Sequence, residues 1–139
     1  MNTRQRGSTS VEFALAFLLL LGFLLGILDF ARLLYTWNVA NETARAGARY
    51  AVVCADPTNK ARILATMQGL MPQVSDIDVV WQPANCDATN CESVTVAITG
   101  LQFRWIAPIP SLLATPLVML PGFSTYLPRE MMTYNPLIC

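Results

Sequence analysis

The sequence predicts an α+β protein: a long N-terminal helix, transmembrane in its first half and amphipathic in its second, followed by a small domain with a second helix and an antiparallel sheet of about three strands. Three observations predict it. Residues 13–28 form an uncharged apolar run, Ala40, Ala44, Ala48 and Val52 continue a helical pattern beyond it, and alternating apolar residues recur in the C-terminal half.

The 139 residues allow one modest core. The composition is 54% hydrophobic and 13% charged, against roughly 25% charged in a soluble domain, so part of the apolar excess is expected to meet a membrane. Nine Lys and Arg balance nine Asp and Glu, which removes the long-range field that would gather nucleic acid. With no histidine, imidazole bases, Ser-His-Asp and Cys-His arrangements and His-ligated zinc are excluded. No phosphate loop or dinucleotide fingerprint is present, so the chain is expected to be no enzyme and to require no cofactor and no metal.

The apolar run holds sixteen residues between Glu12 and Asp29, short for a span that needs ~20. Extending the helix to Tyr35 and Trp37, which suit an interfacial aromatic belt, supplies the length and sets the transmembrane half at about residues 13–35. Arg4 and Arg6 precede the run with no acid before Glu12. This positive flank should stay in the cytoplasm while the remainder crosses once, N-in and C-out. The uncharged stretch at 106–123 contains Pro108, Pro110, Pro116 and Pro121, whose missing donors disfavour a second span. It reads as a folded connector with a helical turn at 111–115.

Beyond the run, Asn41, Glu42, Arg45 and Arg49 fall mostly off the alanine stripe, so the helix should continue outside the membrane from about Ser8 to Val53, roughly 70 Å at ~1.5 Å per residue. The small residues Ala40, Ala44, Gly47 and Ala48 are expected to receive the chain's own C-terminal domain more readily than a partner helix. Asp56 and Pro57 read as the N-cap and first residue of a new helix, with Ile63, Leu64, Met67, Leu70 and Met71 at helical spacing and Pro72 as its stop. Ile77, Val79 and Trp81 alternate as a strand, as do Val94, Val96 and Ile98. The latter strand is expected to continue through Leu101, Phe103 and Trp105 after a disruption at Gly100, and a third lies within 117–127. Asp76 and Asp78, two apart, read as a solvated strand edge in preference to a calcium site.

The most informative motif is Arg6-Gly7-Ser8-Thr9-Ser10-Val11-Glu12-Phe13. A carboxylate beside hydrocarbon is costly and calls for a cation or a hydrogen-bonding role. Thr9 and Glu12 fit a capping box, with Thr9 as N-cap and Glu12 at N3. Alternatively a peptidase cuts after Gly7, leaving Ser8 as a new ammonium terminus with Glu12 fifth in the mature chain, and Glu12 pairs with the terminus of a neighbour. Gly22 and Gly26 form a Gly-x-x-x-Gly spacing that permits close helix packing in lipid, or arises by chance in a leucine-rich helix.

Cys54, Cys86, Cys91 and Cys139 lack zinc-site spacing, and the predicted compartment is oxidising, so they are expected to form disulfides. Three pairings are open. A hairpin bridge between Cys86 and Cys91 is the first choice, and Cys54 with Cys139 would then tie the rod's end to the C-terminus.

The basic leader ending in glycine, glutamate at the fifth position after it and an apolar helix directly following are similar to a class III, type IV pilin-like signal. The stretch RGSTSVEFALAF, followed by NETARAGARYAV, resembles the TadE-like minor pilins, or pseudopilins, of tight-adherence (Flp) pili. The resemblance covers residues 6–53 and is loose afterwards, where Leu127-Pro128-Arg129-Glu130 resembles a basic-acidic pair near the family's C-terminus. It implies cleavage by the prepilin peptidase after Gly7, with Glu12 as the assembly glutamate. Phe13, where related major pilins often have tyrosine, points to a minor subunit. The implied partners are other pilins including a related minor pilin, an assembly ATPase and a membrane platform, at the bacterial inner membrane or in an extracellular pilus used for surface attachment.

The expected organisation is therefore a cleaved leader at 1–7, the long helix at 8–53 and an extracytoplasmic α+β domain at 54–139. The competing expectation is a secreted or membrane-anchored binding protein unrelated to pili. Its signal peptidase site would be Ala44-Arg45-Ala46, sixteen residues beyond Asp29 and far too distant for a normal cleavage region.

Overall fold

The computed structural model describes residues 8–54, 59–87, 89–107, 117–128, 137 and 139, with the side chains of Ser8 and Leu117 left aside. Helix α1 runs Ser8–Cys54, 47 residues without proline, and α2 runs Lys60–Leu70. The strands are β1 (Asp76–Gln82), β2 (Ser93–Thr99), β3 (Gln102–Arg104), β4 (Leu117–Met119) and β5 (Phe123–Pro128). The expected α+β architecture is present: one long apolar helix, a second helix and an antiparallel three-stranded sheet in the order β1-β2-β5, with β2 central.

The sheet's alternation sets its inner face. Ile77, Ile98 and Phe123 lie in one cross-strand row, Val79, Val96 and Thr125 in the next, and Trp81, Val94 and Leu127 in a third. Ile77, Val94, Val96, Ile98 and Phe123 are buried and join one core with Ala40, Ala44, Ala48, Ala51 and Val52 of α1 and Ile63 and Met67 of α2. The alanine stripe therefore receives the chain's own domain. Small side chains there let the sheet and α2 approach the helix backbone closely.

Gly47 shows how close. A Cβ built on it would meet the Sδ of Met67 and lie 2.8 Å from its Cγ, and Met67 is fully buried. Asp56 and Pro57, read from sequence as the start of α2, lie outside the described residues, and the described helix begins at Lys60. Asn59 caps it, its Oδ1 accepting from the Arg62 N–H at 3.3 Å. At the other end of α1, helix is already formed at Ser8. Thr9 lies in the first turn of α1.

Two strand expectations are corrected. Gly100, with φ of 72°, takes a left-handed conformation that turns the chain out of β2, so residues beyond it do not extend that strand. Instead β3 pairs with β4 in a separate two-stranded ribbon. The single strand expected within 117–127 is two, β4 in the ribbon and β5 in the main sheet, divided at Pro121 and Gly122. The expected helical turn at 111–115, with Pro108, Pro110 and Pro116, lies outside the described residues.

Cys54 pairs with Cys139 and Cys86 with Cys91, at Cα separations of 5.5 and 5.0 Å. The first closes a loop of 85 residues around the domain, a constraint on the unfolded chain of about 4–5 kcal/mol in the chain-entropy account. Within the second loop, Asp87 accepts from the Thr89 hydroxyl and from the Thr89 and Asn90 N–H groups. These bonds hold its carboxyl below the usual carboxylate range, the Thr89 hydroxyl contributing most. Asp76 is engaged by Lys60 Nζ at 2.9 Å, which with the Ile77 N–H also lowers its carboxyl.

Gly47→Val places a branched side chain against Met67 and should destabilise the domain by about 1–3 kcal/mol through overpacking. Thermal unfolding followed by circular dichroism in micelles should show a lowered midpoint, restored in part by a second substitution, Met67→Ala, that vacates the space.

Candidate functional site

Helix α1 presents two different surfaces along its length. From Thr9 to Leu24 every described side chain is exposed, including Phe13 at 71% and Leu19 at 77%, and none of its most apolar window is covered by protein. Water would not tolerate such a stretch. Twenty residues from Thr9 through Leu28 span about 30 Å, equal to a bilayer's hydrocarbon thickness. This segment fits a membrane anchor.

Glu12 stands exposed at the start of that segment and makes no hydrogen bond or ion pair among the described residues. Phe13 stacks on Phe17 one turn later, with centroids 6.0 Å apart. Gly7 lies outside the described residues, and Ser8 is the first residue of the helix. A Cβ at Gly22 or Gly26 would meet nothing within 4 Å, so the groove they form is open to an approaching helix. On the helical repeat these glycines lie in line with Asp29, Leu33, Ala40, Ala44, Gly47 and Ala51. The open groove is thus the lipid-side continuation of the face that carries the domain.

The domain reaches down α1 as far as Asp29. Trp37, assigned by sequence to an interfacial belt, is 42% exposed and meets Phe123 edge-on at 4.8 Å, and coverage by the domain begins within the 13–35 segment. In the sequence Asp29 marks only the end of the apolar run, with Arg32 three residues on at helical i, i+3 spacing. In the structure it is fully buried. Its Oδ1 accepts from the Ile106 N–H at 3.0 Å, and its Oδ2 accepts from Ile106 at 3.0 Å and from Ala107 at 2.7 Å. Arg32 Nη1 donates to Oδ1 at 3.1 Å and to the Arg104 carbonyl at 3.5 Å.

The Arg32 guanidinium also lies 5.4 Å from the Phe103 ring centroid, and Phe103 meets Trp105 edge-on at 5.3 Å. A single carboxylate therefore fastens the end of β3 to α1, 77 residues away in sequence. The cost of an acid beside hydrocarbon, the argument applied to Glu12, applies equally to Asp29 and was the available signal. What sequence could not supply was the partner, because backbone N–H groups carry no residue signature.

The remaining candidates do not converge. Among the described residues no group of three or more His, Cys, Asp or Glu could hold a metal ion, and Asp76 is taken up by Lys60. Glu42 and Arg45 pair at 3.0 Å on the outer face of α1 with both side chains mostly exposed, an arrangement of small energetic weight.

Glu12, the exposed apolar helix and the alanine face all fall in one compared segment. Residues 7–49 match the TadE-like protein family. The TadE-like segment is about a third of the chain and ends just short of the end of α1, leaving α2 and both sheets beyond it. It associates the chain with tight-adherence pili and their components at the level of the family. No curated protein and no solved structure matches the chain.

Asp29→Ala would leave the Ile106 and Ala107 N–H groups without their acceptor, a loss of about 1–3 kcal/mol for each buried donor left unpaired. Hydrogen exchange read by mass spectrometry should accelerate in the peptide spanning 104–107, while the peptides of β1 and β2 keep their protection. Unchanged exchange there would remove Asp29 as the fastening point.

Proposed function

We propose that this chain is a membrane-anchored minor pilin, or pseudopilin, that takes part in initiating or assembling a tight-adherence pilus for surface attachment. It crosses the inner membrane once, N-in and C-out, and acts by association with no catalysis of its own. The prepilin peptidase removes residues 1–7, and Ser8 becomes the mature terminus. The observation carrying this reading is Glu12: an exposed carboxylate without a partner among the described residues, at the start of an exposed apolar helix, inside the TadE-like segment.

A lone charge at the hydrocarbon edge is unfavourable, and the terminal ammonium of a neighbouring subunit would compensate it. Partners are other pilins, including a related minor pilin, together with the assembly ATPase and platform. Gly22 and Gly26 offer a second contact in lipid. Because their groove shares the domain-bearing face, a parallel two-fold pair through it would bring two domains into one space, so the contact suits a staggered, unlike neighbour.

The secreted-protein reading is disfavoured by Ala44, which is buried in the core in the middle of continuous α1. Cleavage after Ala46 would remove Ala40 and Ala44 from that core.

Glu12→Gln should be cleaved and inserted normally yet recover less partner pilin on crosslinking and support fewer pili. Gly7→Leu should retain the leader and still insert, because a bulky residue before the cut obstructs the peptidase while insertion depends on 13–28. N-terminal sequencing of the unmutated protein should give Ser8. Full assembly by Glu12→Gln would refute the charge-pair role, and normal processing of Gly7→Leu would refute the pilin-type maturation.

A further inference from the structure

Where Asp29 fastens the ribbon, the domain's lower edge comes level with the end of the apolar helix. Asp29 follows Leu28, the last residue of the uncharged run, and helical side chains tilt toward the N-terminus, here toward the membrane. The two N–H groups it holds belong to Ile106 and Ala107, so these residues lie at the hydrocarbon boundary. Ile106 is 59% exposed there, and Leu28 and Phe30, which flank Asp29 in the sequence of α1, are exposed as well. Arg104 is exposed two residues earlier, and the Arg32 side chain retains 47% exposure although it pairs with Asp29.

Charge at this edge is one-sided. Asp29 is matched by Arg32, which leaves Arg104 uncompensated among the described residues, and no acid follows it in sequence before Glu130. An exposed aliphatic side chain at the boundary with uncompensated arginine just above it has the composition of an interfacial contact: the apolar group enters the acyl region and the cation meets lipid phosphate.

We infer that residues 104–107 form a second membrane contact, a footing in which Ile106 enters the outer leaflet and Arg104 binds the headgroups of anionic phospholipids. This inference rests on the membrane-spanning reading of α1. The footing adds a domain contact at the depth of Leu28, and the Asp29 bonds hold it at that depth.

The test uses the full chain in vesicles of equal phosphatidylglycerol and phosphatidylcholine, with a benzophenone amino acid placed singly at Leu19, Val80 or Ile106. Leu19 reports the span, and Val80, 47% exposed on the sheet, reports the domain away from the footing. Mass spectrometry should find lipid adducts at Leu19 and Ile106 and none at Val80. At Ile106 phosphatidylglycerol should be preferred about fivefold, the effect of one basic side chain near an anionic surface, and the preference should fall to near parity in Arg104→Gln. Lipid adducts at Leu19 with none at Ile106, or only protein adducts at Ile106, would overturn the footing and leave the span intact. No lipid adduct at Leu19 would overturn the span and the footing with it. An unchanged lipid preference in Arg104→Gln would overturn the role given to that arginine.

Discussion

A carboxylate withdrawn from water must be given donors, and at Asp29 they come from the backbone of a loop 77 residues further on. The rest of the arrangement follows from this bond set. It converts the end of the apolar run into the lower limit of the domain, it turns the β3–β4 ribbon down along α1, and it occupies Arg32 so that neither charge is left alone. Hydrogen bonds to a charged acceptor are the stronger kind, and here they stand directly after the exposed apolar run, where backbone donors left unpaired would be costly. The core above, built on an alanine face against alternating Val and Ile, supplies the bulk of the burial. Asp29 determines where along the helix that burial stops.

Much of the fold was legible in the sequence because two periodicities report directly on burial. The four-residue spacing of Ala40, Ala44 and Ala48 and the two-residue spacing of Ile77, Val79 and Trp81 each name a face, and the structure assembles those faces into one core. The errors fall where periodicity gives no information. Leu101, Phe103 and Trp105 alternate as well as any strand does, but alternation cannot distinguish a continued strand from a new one after a turn, and Gly100 supplies the turn. The strand at 117–127 was divided for a similar reason, since Pro121 and Gly122 interrupt pairing without interrupting the apolar composition.

The candidate site was legible in unequal parts. Glu12 is conspicuous in one dimension because an uncharged apolar run follows it directly, and Gly22 and Gly26 are conspicuous by spacing. Asp29 is equally out of place, yet the adjacent Arg32 offers a sufficient local explanation, and a sufficient local partner conceals a distant one. The two disulfides illustrate the opposite case. Cys86 and Cys91 are near neighbours in a hairpin, whereas Cys54 and Cys139 are joined only because the sheet returns the chain to the end of α1.

The alignment of Gly22 and Gly26 with the domain-bearing face gives α1 the character of a keyed shaft. Along one unbroken helix the azimuth of the domain fixes the azimuth of the glycine groove, and the Asp29 bonds prevent the lower part of the domain from swivelling about the axis. A neighbour that engages the domain from a given compass direction therefore finds the groove at a set bearing in the lipid. One residue inserted between Gly26 and Asp29 would rotate the upper surface against the lower by ~100° while lengthening the rod by only ~1.5 Å. In this molecule, bearing is a far more sensitive coordinate than height.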